Sequence, residues 1–369
     1  LFYYKKKKDM SKILKWLTAI LIISVFIIWL TYFRQPSNVA RHSLKGRFGI
    51  SLGDTLPELT DKELDRRLSD IALIGFSWIR FDMSWKWARP SQDKDYEWKM
   101  FDRIITVAKK KKLKVLPILT YAPDWAGIKQ LRNDYMMSPK DPDQFADFAK
   151  EAAKRYVSLG VHAWEIWNEP NIENFWSPEP NIKDYTVMLK KSYLKIKQVD
   201  PKATIISGGL AAVAKDTKGR ISGLNYLEGI YKNGGKGYFD GVGYHPFSFP
   251  RLPSTIITGG GFAQLDRPLI KSVRSIQADN DDSSKRVWAT EFGTPTQGVD
   301  KVSESFQVKM VKDVAEQMKK KSWIKVLFWY SYKDISGNPV KAENHFGLVR
   351  VNGTKKPAYY TVKNILNKK

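Results

Sequence analysis

The chain has 369 residues, enough for one large core, and an α/β barrel of about 250 residues would fit with room for long loops. Cysteine is absent, which excludes disulfides and thiolate metal sites. Lysine and arginine number 62 against 38 acidic residues, and the resulting charge of +24 suits a polyanionic partner: nucleic acid, anionic lipid or acidic polysaccharide.

Residues 1–15 form a basic tail, with Lys5, Lys6, Lys7, Lys8, Lys12 and Lys15 against Asp9. Residues 16–33 (WLTAILIISVFIIWLTYF) are an uncharged apolar run of 18, long enough as a helix to cross a hydrocarbon core of roughly 30 Å. After it Arg34, Arg41 and Lys45 are fewer and more spread out, so the positive-inside rule predicts a signal anchor with a cytoplasmic tail. Everything beyond Phe33 is then expected outside the cytoplasm, which leaves no nucleic-acid partner. A cleaved signal peptide is the competing reading, but its apolar region spans about 7 to 15 residues and ends in small residues. Thr31, Tyr32, Phe33 and Arg34 close this run instead. Residues 34–45 are polar and read as a linker.

From residue 46 to 369 short apolar runs alternate with amphipathic stretches and no second linker appears. The runs are Arg47–Leu52, Trp78–Phe81, Lys114–Leu119, Ala163–Trp167, Thr204–Ser207, Gly241–Tyr244, Arg286–Thr290 and Ile324–Tyr330. Helical spacing predicts helices over Asp61–Leu73, Trp98–Lys111, Pro142–Ser158, Ile182–Gln198, Asp266–Ala278, Ser303–Lys320 and Pro357–Asn367. Eight strands alternating with helices predict a single (β/α)8 TIM barrel with right-handed crossovers, preceded by a transmembrane helix.

Such a barrel carries its chemistry at the C-terminal ends of its strands. There the sequence places Arg80, Asp82 and Trp85 after the second run, Tyr121 and Trp125 after the third, and Asn168 and Glu169 after the fourth. Tyr244 and His245 end the sixth run, Glu291 the seventh, and Trp329 and Asp334 belong to the eighth. Two glutamates on one rim are the pair that glycosidic cleavage uses, one protonated to serve the leaving oxygen and one ionised. A single strand-end glutamate is as often half of a salt bridge. The four histidines have no ligand spacing, no Gly-rich phosphate loop stands between a strand and a helix, and nothing requires a cofactor or a metal. Residues 247–262 read as a cleft wall or lid.

The motifs WNEP on the fourth run and TEFG on the seventh resemble the two signatures of the retaining clan A glycoside hydrolases. WNEPNIENFWSPEP, APDWA and NHFGLVRVNGTKKPAY are most similar to glycoside hydrolase family 39 and to related glycosidases encoded with bacterial exopolysaccharide systems. The resemblance implies Glu169 as general acid and base, Glu291 as nucleophile, Asn168 on the sugar 2-hydroxyl, and Arg80 beside Glu291. It also implies Tyr244 or His245 facing the nucleophile, with the choice open, and Trp329 as the aromatic floor. Trp125, Trp176 and Trp85 are candidate stacking platforms, with core packing the alternative for each. The implied protein is a bacterial inner-membrane, single-pass glycosidase with its catalytic domain on the periplasmic or extracellular side. Its substrate would be a carbohydrate polymer, and a polysaccharide synthesis or export complex is the implied partner. A barrel that binds polysaccharide without cleaving it is the rival class, against which both glutamates speak. A trans-glycosylase would share every residue named.

Overall fold

The computed structural model describes residues 41–128, 136–255, 261–267 and 269–368, together with 16–18 and 24. The chain divides into two compact units, 1–41 and 42–369. The basic tail, most of the apolar run 16–33 and the first part of the linker lie outside the described residues. Among the described residues no helix is long and apolar enough to cross a membrane.

Within residues 42–369 eight parallel strands close into a barrel in sequence order: β1 (Phe48–Ser51), β2 (Trp78–Ser84), β3 (Lys114–Thr120), β4 (Ala163–Asn168), β5 (Thr204–Ala211), β6 (Gly241–His245), β7 (Arg286–Phe292) and β8 (Ile324–Tyr330). Each coincides with one of the apolar runs. The strands are buried on both faces, which is why they read as continuous apolar runs rather than as alternating patterns. Inside the barrel Trp78, Leu116, Ala163, Ile206, Trp288, Val326 and Phe328 form a separate apolar plug. Trp78 meets Trp288 edge-on with ring centroids 5.5 Å apart, and Phe328 at 6.4 Å. Gly49 makes room for this plug, since a Cβ there would lie 2.5 Å from the Phe328 ring. The next inward positions above Trp78 and Ala163 are Arg80 and Glu165, so the barrel changes from apolar to charged within one step of two residues.

Helices cover the outside: α1 (Asp61–Ile74), α2 (Lys99–Lys110), α3 (Pro142–Tyr156), α4 (Ile182–Val199), α5 (Gly223–Lys232), α6 (Val273–Asp279), α7 (Glu304–Lys320) and α8 (Pro357–Leu366). Thr60 and Glu63 form a capping box that starts α1, and Gly75, with φ 105°, ends it. Phe101, Ile104, Ile105 and Ala108 give α2 its buried face. Two elements depart from the expectation. The helix predicted from Asp266 begins only at Val273, because Leu269 takes a φ of 61° and Ser272 supplies the cap. Helix α5 was not predicted, and its two glycines, Gly223 and Gly229, weaken the helical signal around Tyr226, Leu227 and Ile230.

Candidate active site

Arg80 is the centre of the charged layer. It is fully buried, and each of its three nitrogens has a hydrogen-bond partner, with Nη2 shared among three. Nε and Nη2 donate to Glu165 at 2.6 and 3.1 Å, and Nη2 also to Asn168 Oδ1 at 3.0 Å. Nη1 donates to Ser51 Oγ at 3.0 Å and to Glu291 Oε1 at 2.6 Å. Burial alone would weaken the guanidinium charge, but Glu165 and then Glu291 outweigh it and raise the pKa. Glu165, also fully buried, accepts a further bond from the Gly209 amide at 2.9 Å. Glu165 is absent from the sequence-derived site. Its signal was a lone charge inside an otherwise apolar strand.

Two backbone irregularities aim the glutamates. Strict alternation on β4 would turn Trp167 inward and Asn168 outward. Trp167 instead takes a φ of 75°, packs outward against Phe145 and Trp176, and lets Asn168 turn in toward Arg80. Glu169 follows with φ 43°. Bulky residues in this region cost about 1–3 kcal/mol each and cluster at functional sites. On β7 Ala289 pairs with Leu327 and Phe292 with Trp329, so three residue steps on β7 oppose two on β8. This bulge lets Glu291 reach Arg80 in the mouth while Phe292 still packs outward on Trp329.

His245 lies between the two glutamates. Its Nδ1 is 2.7 Å from Glu169 Oε1 and 3.9 Å from Glu291 Oε2, and its Nε2 is 3.3 Å from Arg80 Nη2. Those two oxygens are therefore at most about 6.6 Å apart, a bound reached only if the three atoms are collinear; retaining pairs stand at about 5–5.5 Å. Burial lowers the His245 pKa to about 4, so the ring is neutral at physiological pH. An Nε2 that faces a guanidinium carries its lone pair, so Nδ1–H donates to Glu169. Gly209 leaves space for this ring, since a Cβ would collide with His245 Nε2 and Thr290 Oγ1. Burial raises the Glu169 carboxyl to about 7, with Arg80 and Arg220 pulling the other way. Asp82 is likewise raised to about 7 by burial, against Arg80 and with help from Asp54, Glu291 and Glu165.

The structure brings together Glu169, Glu291, Asn168, Arg80 and His245 and separates the remaining candidates from them. Tyr244 points outward and donates its hydroxyl to Gln264. Trp329, the expected floor, also points outward, buried against Phe292, because Val326 and Phe328 fix the opposite parity of β8 as inward. Tyr330 is the inward neighbour instead. Burial raises its pKa, and Glu291, Asp54, Asp82 and Glu169 raise it further, which places the phenol among the site's carboxylates. Trp85 is core, stacked on Phe148, and Trp176 is buried between Trp167 and Tyr185. Trp125 is half-buried, with its Nε1 on the Arg89 carbonyl and the Arg89 guanidinium over its ring. Asp334 forms a buried ion pair with Lys356 at 2.8 Å.

Residues 48–226 match the family model Cellulase (glycosyl hydrolase family 5), a stretch that holds Arg80, Glu165, Asn168 and Glu169 and stops before Glu291. Among solved structures the chain is similar to a family 39 glycoside hydrolase from Bacteroides cellulosilyticus WH2, with 23% identity and TM-score 0.68, over 87% of this chain and 64% of that one. It is also similar to a monomeric beta-xylosidase from Caulobacter crescentus CB15, with 18% identity and TM-score 0.65, over 89% of this chain and 70% of that one. The exo-beta-1,4-mannosidase Op5Man5 from Opitutaceae bacterium strain TAV5 gives 17% identity and TM-score 0.58, over 88% and 61%. The chain thus spans just under two thirds of the Bacteroides protein, and at these identities the likeness is one of fold. No curated protein matches the chain. The family match supports a glycosidase, and the solved structures add the barrel fold alone.

Proposed function

We propose that the protein is a membrane-anchored retaining glycoside hydrolase that cleaves O-glycosidic bonds of an exopolysaccharide, with Glu291 as nucleophile and Glu169 as general acid and base. The observation that carries this reading is the unequal treatment of two carboxylates around one imidazole. Glu291 Oε1 is held by Arg80, which leaves Oε2 free to attack. Glu169 is buried and raised to about 7, and its Oε1 is occupied by His245 Nδ1–H, which directs the proton to Oε2.

In the first step Glu291 Oε2 bonds to the anomeric carbon as the glycosidic C–O bond breaks. The leaving oxygen takes the proton from Glu169. In the second step Glu169 removes a proton from water, the oxygen of that water bonds to the anomeric carbon, and Glu291 leaves as a carboxylate. Asn168 presents Oδ1 to Arg80, which orients its amide nitrogen toward the sugar 2-hydroxyl. Tyr330 takes the place expected for Trp329 as the aromatic surface under that sugar.

Incubation of the full chain with exopolysaccharide fragments, followed by NMR of the first-formed reducing end, tests the reading. Retained anomeric configuration is expected. Inversion, or loss of cleavage in neither Glu169→Gln nor Glu291→Gln, overturns it. Transfer of the sugar to an added acceptor rather than to water would identify a trans-glycosylase.

A further inference from the structure

The other end of the barrel carries an unbalanced charge. Arg47 immediately precedes β1, Lys114 and Arg286 open β3 and β7, and Lys325 is the second residue of β8. The last three side chains are exposed. Arg47 donates to the main-chain carbonyls of Met318, Lys321 and Ile324, each at 2.7 Å. Lys114 lies over the Trp78 ring, 5.2 Å from its centroid, and Arg286 reaches only the Ser322 carbonyl at 3.5 Å. None of the four has a carboxylate partner among the described residues. Burial lowers the Lys325 pKa, and Arg286, Lys114 and Arg47 lower it further, so the four cations share one field. Like charges held together in this way repel, and a bound anionic ligand relieves the repulsion.

We propose that the base of the barrel is a docking surface for anionic lipid headgroups, centred on Arg47, Lys114, Arg286 and Lys325. The inference rests on the membrane-anchored reading above. Lys109–Lys112 at the end of α2 and Lys319–Lys321 at the end of α7 extend the same face, where cations also suit the helix C-termini; of these Lys111, Lys319 and Lys321 are paired with Asp65, Glu316 and Asp266. The chain enters this unit at the same end, since the His42 amide donates to the Lys319 carbonyl at 2.9 Å. Eight residues lie between Phe33 and His42, a reach of about 30 Å at full extension, which bounds how far this end of the chain can stand from an apolar run seated in a bilayer. The apolar plug lies between these cations and Arg80, which removes them from the reacting sugar. Each basic residue close to an anionic leaflet strengthens attachment about five-fold.

The chain has no cysteine, so a single engineered one takes a unique fluorophore. Ser322→Cys places it at the base and Lys218→Cys on a loop of the catalytic face, both at exposed positions. The full chain is reconstituted in phosphatidylcholine vesicles with and without phosphatidylglycerol, each containing headgroup-quencher lipid. The Ser322 label should be quenched more in the phosphatidylglycerol vesicles. The excess should vanish in about 0.5 M salt and fall about five-fold for each of Arg286→Gln and Lys325→Gln. The Lys218 label should not respond. Equal quenching in both vesicle types overturns the docking surface, as does a variant that loses turnover on an acidic polysaccharide while quenching is unchanged. Carbonate extraction separates this result from the anchor: protein released by carbonate after lipid-dependent quenching keeps the docking surface and overturns the anchor.

Discussion

Arg80 grips Glu165 with two bonds, 2.6 and 3.1 Å long, while the same guanidinium holds Glu291 at 2.6 Å. One buried cation thus faces two carboxylates, and only the one at the mouth is open to a sugar. Glu165→Leu leaves Arg80 with a single anionic partner in the barrel interior, and loss of one member of a buried pair costs about 3–5 kcal/mol. A lower melting temperature is expected, together with a fall in kcat that exceeds any change in KM, because Glu291 is then bound more tightly by Arg80. A Glu165→Leu variant with parental melting temperature and kcat would show that the pair neither supports the fold nor tunes the nucleophile.

The pH dependence follows from Glu169. With its carboxyl near 7, the acid form is present below that value and is lost as pH rises, so kcat/KM should decline on an alkaline limb centred near pH 7. His245→Phe removes a donor to the carboxylate, which disfavours the charged form, and the limb should move to higher pH. A rate profile with no such limb, or one that moves to lower pH in His245→Phe, would contradict the assignment of Nδ1–H as donor.

The same shift has a stability consequence of definite sign. The folded-state pKa lies above the ordinary 4.5, so the unfolded chain loses its proton first. Stability from this group is full below pH 4.5, falls as pH rises, and is lost beyond about 7, a difference of about 3 kcal/mol. Glu169→Gln should therefore be the more stable protein at pH 8, and the two should converge near pH 4. Urea melts at the two pH values measure this. It should also cleave an aryl glycoside with a good leaving group far better than polysaccharide, since that departure needs no proton.

Strand parity gives a contrast between two adjacent aromatics. Trp329 is packed outward, and Trp329→Ala should cost about 3–5 kcal/mol of stability with kcat of the folded fraction retained. Tyr330 lines the site, and Tyr330→Ala should raise KM and lower kcat with a smaller stability change. Thermal melts alongside steady-state kinetics decide the point, and the reverse pattern would restore Trp329 to the floor.

That contrast also marks what the sequence could reveal. Eight strands and the rim positions of Glu169 and Glu291 were legible, because apolar runs of four to seven residues separated by helical spacing leave few alternative topologies. Which face each residue takes was not legible on β6 and β8, where both faces are buried and Tyr244, His245, Trp329 and Tyr330 satisfy either assignment. The left-handed Trp167 and the bulge before Phe292 are backbone events with no compositional signature, yet they decide that Asn168 and Glu291 point inward. Glu165 was legible as a charge within AWEIWN but became part of the site only once Arg80 was found opposite it.

Gly209 ties this backbone geometry to the chemistry. A Cβ at this position would collide with the His245 ring and with Thr290, so Gly209→Ala must displace the imidazole or shift β5. The amide of the same residue donates to Glu165 at 2.9 Å, so a shift of β5 would also loosen the Arg80 pair. If the imidazole moves, kcat falls, and the alkaline limb moves to higher pH as in His245→Phe, because Glu169 loses its donor in both. In a His245→Ala background the ring is gone and Thr290 alone opposes the added methyl, so Gly209→Ala should cost less than in the parent. A double-mutant cycle on kcat/KM then gives a large coupling between the two positions. Additive losses would mean that Gly209 acts through Glu165 and the strand rather than through the imidazole that orients the acid.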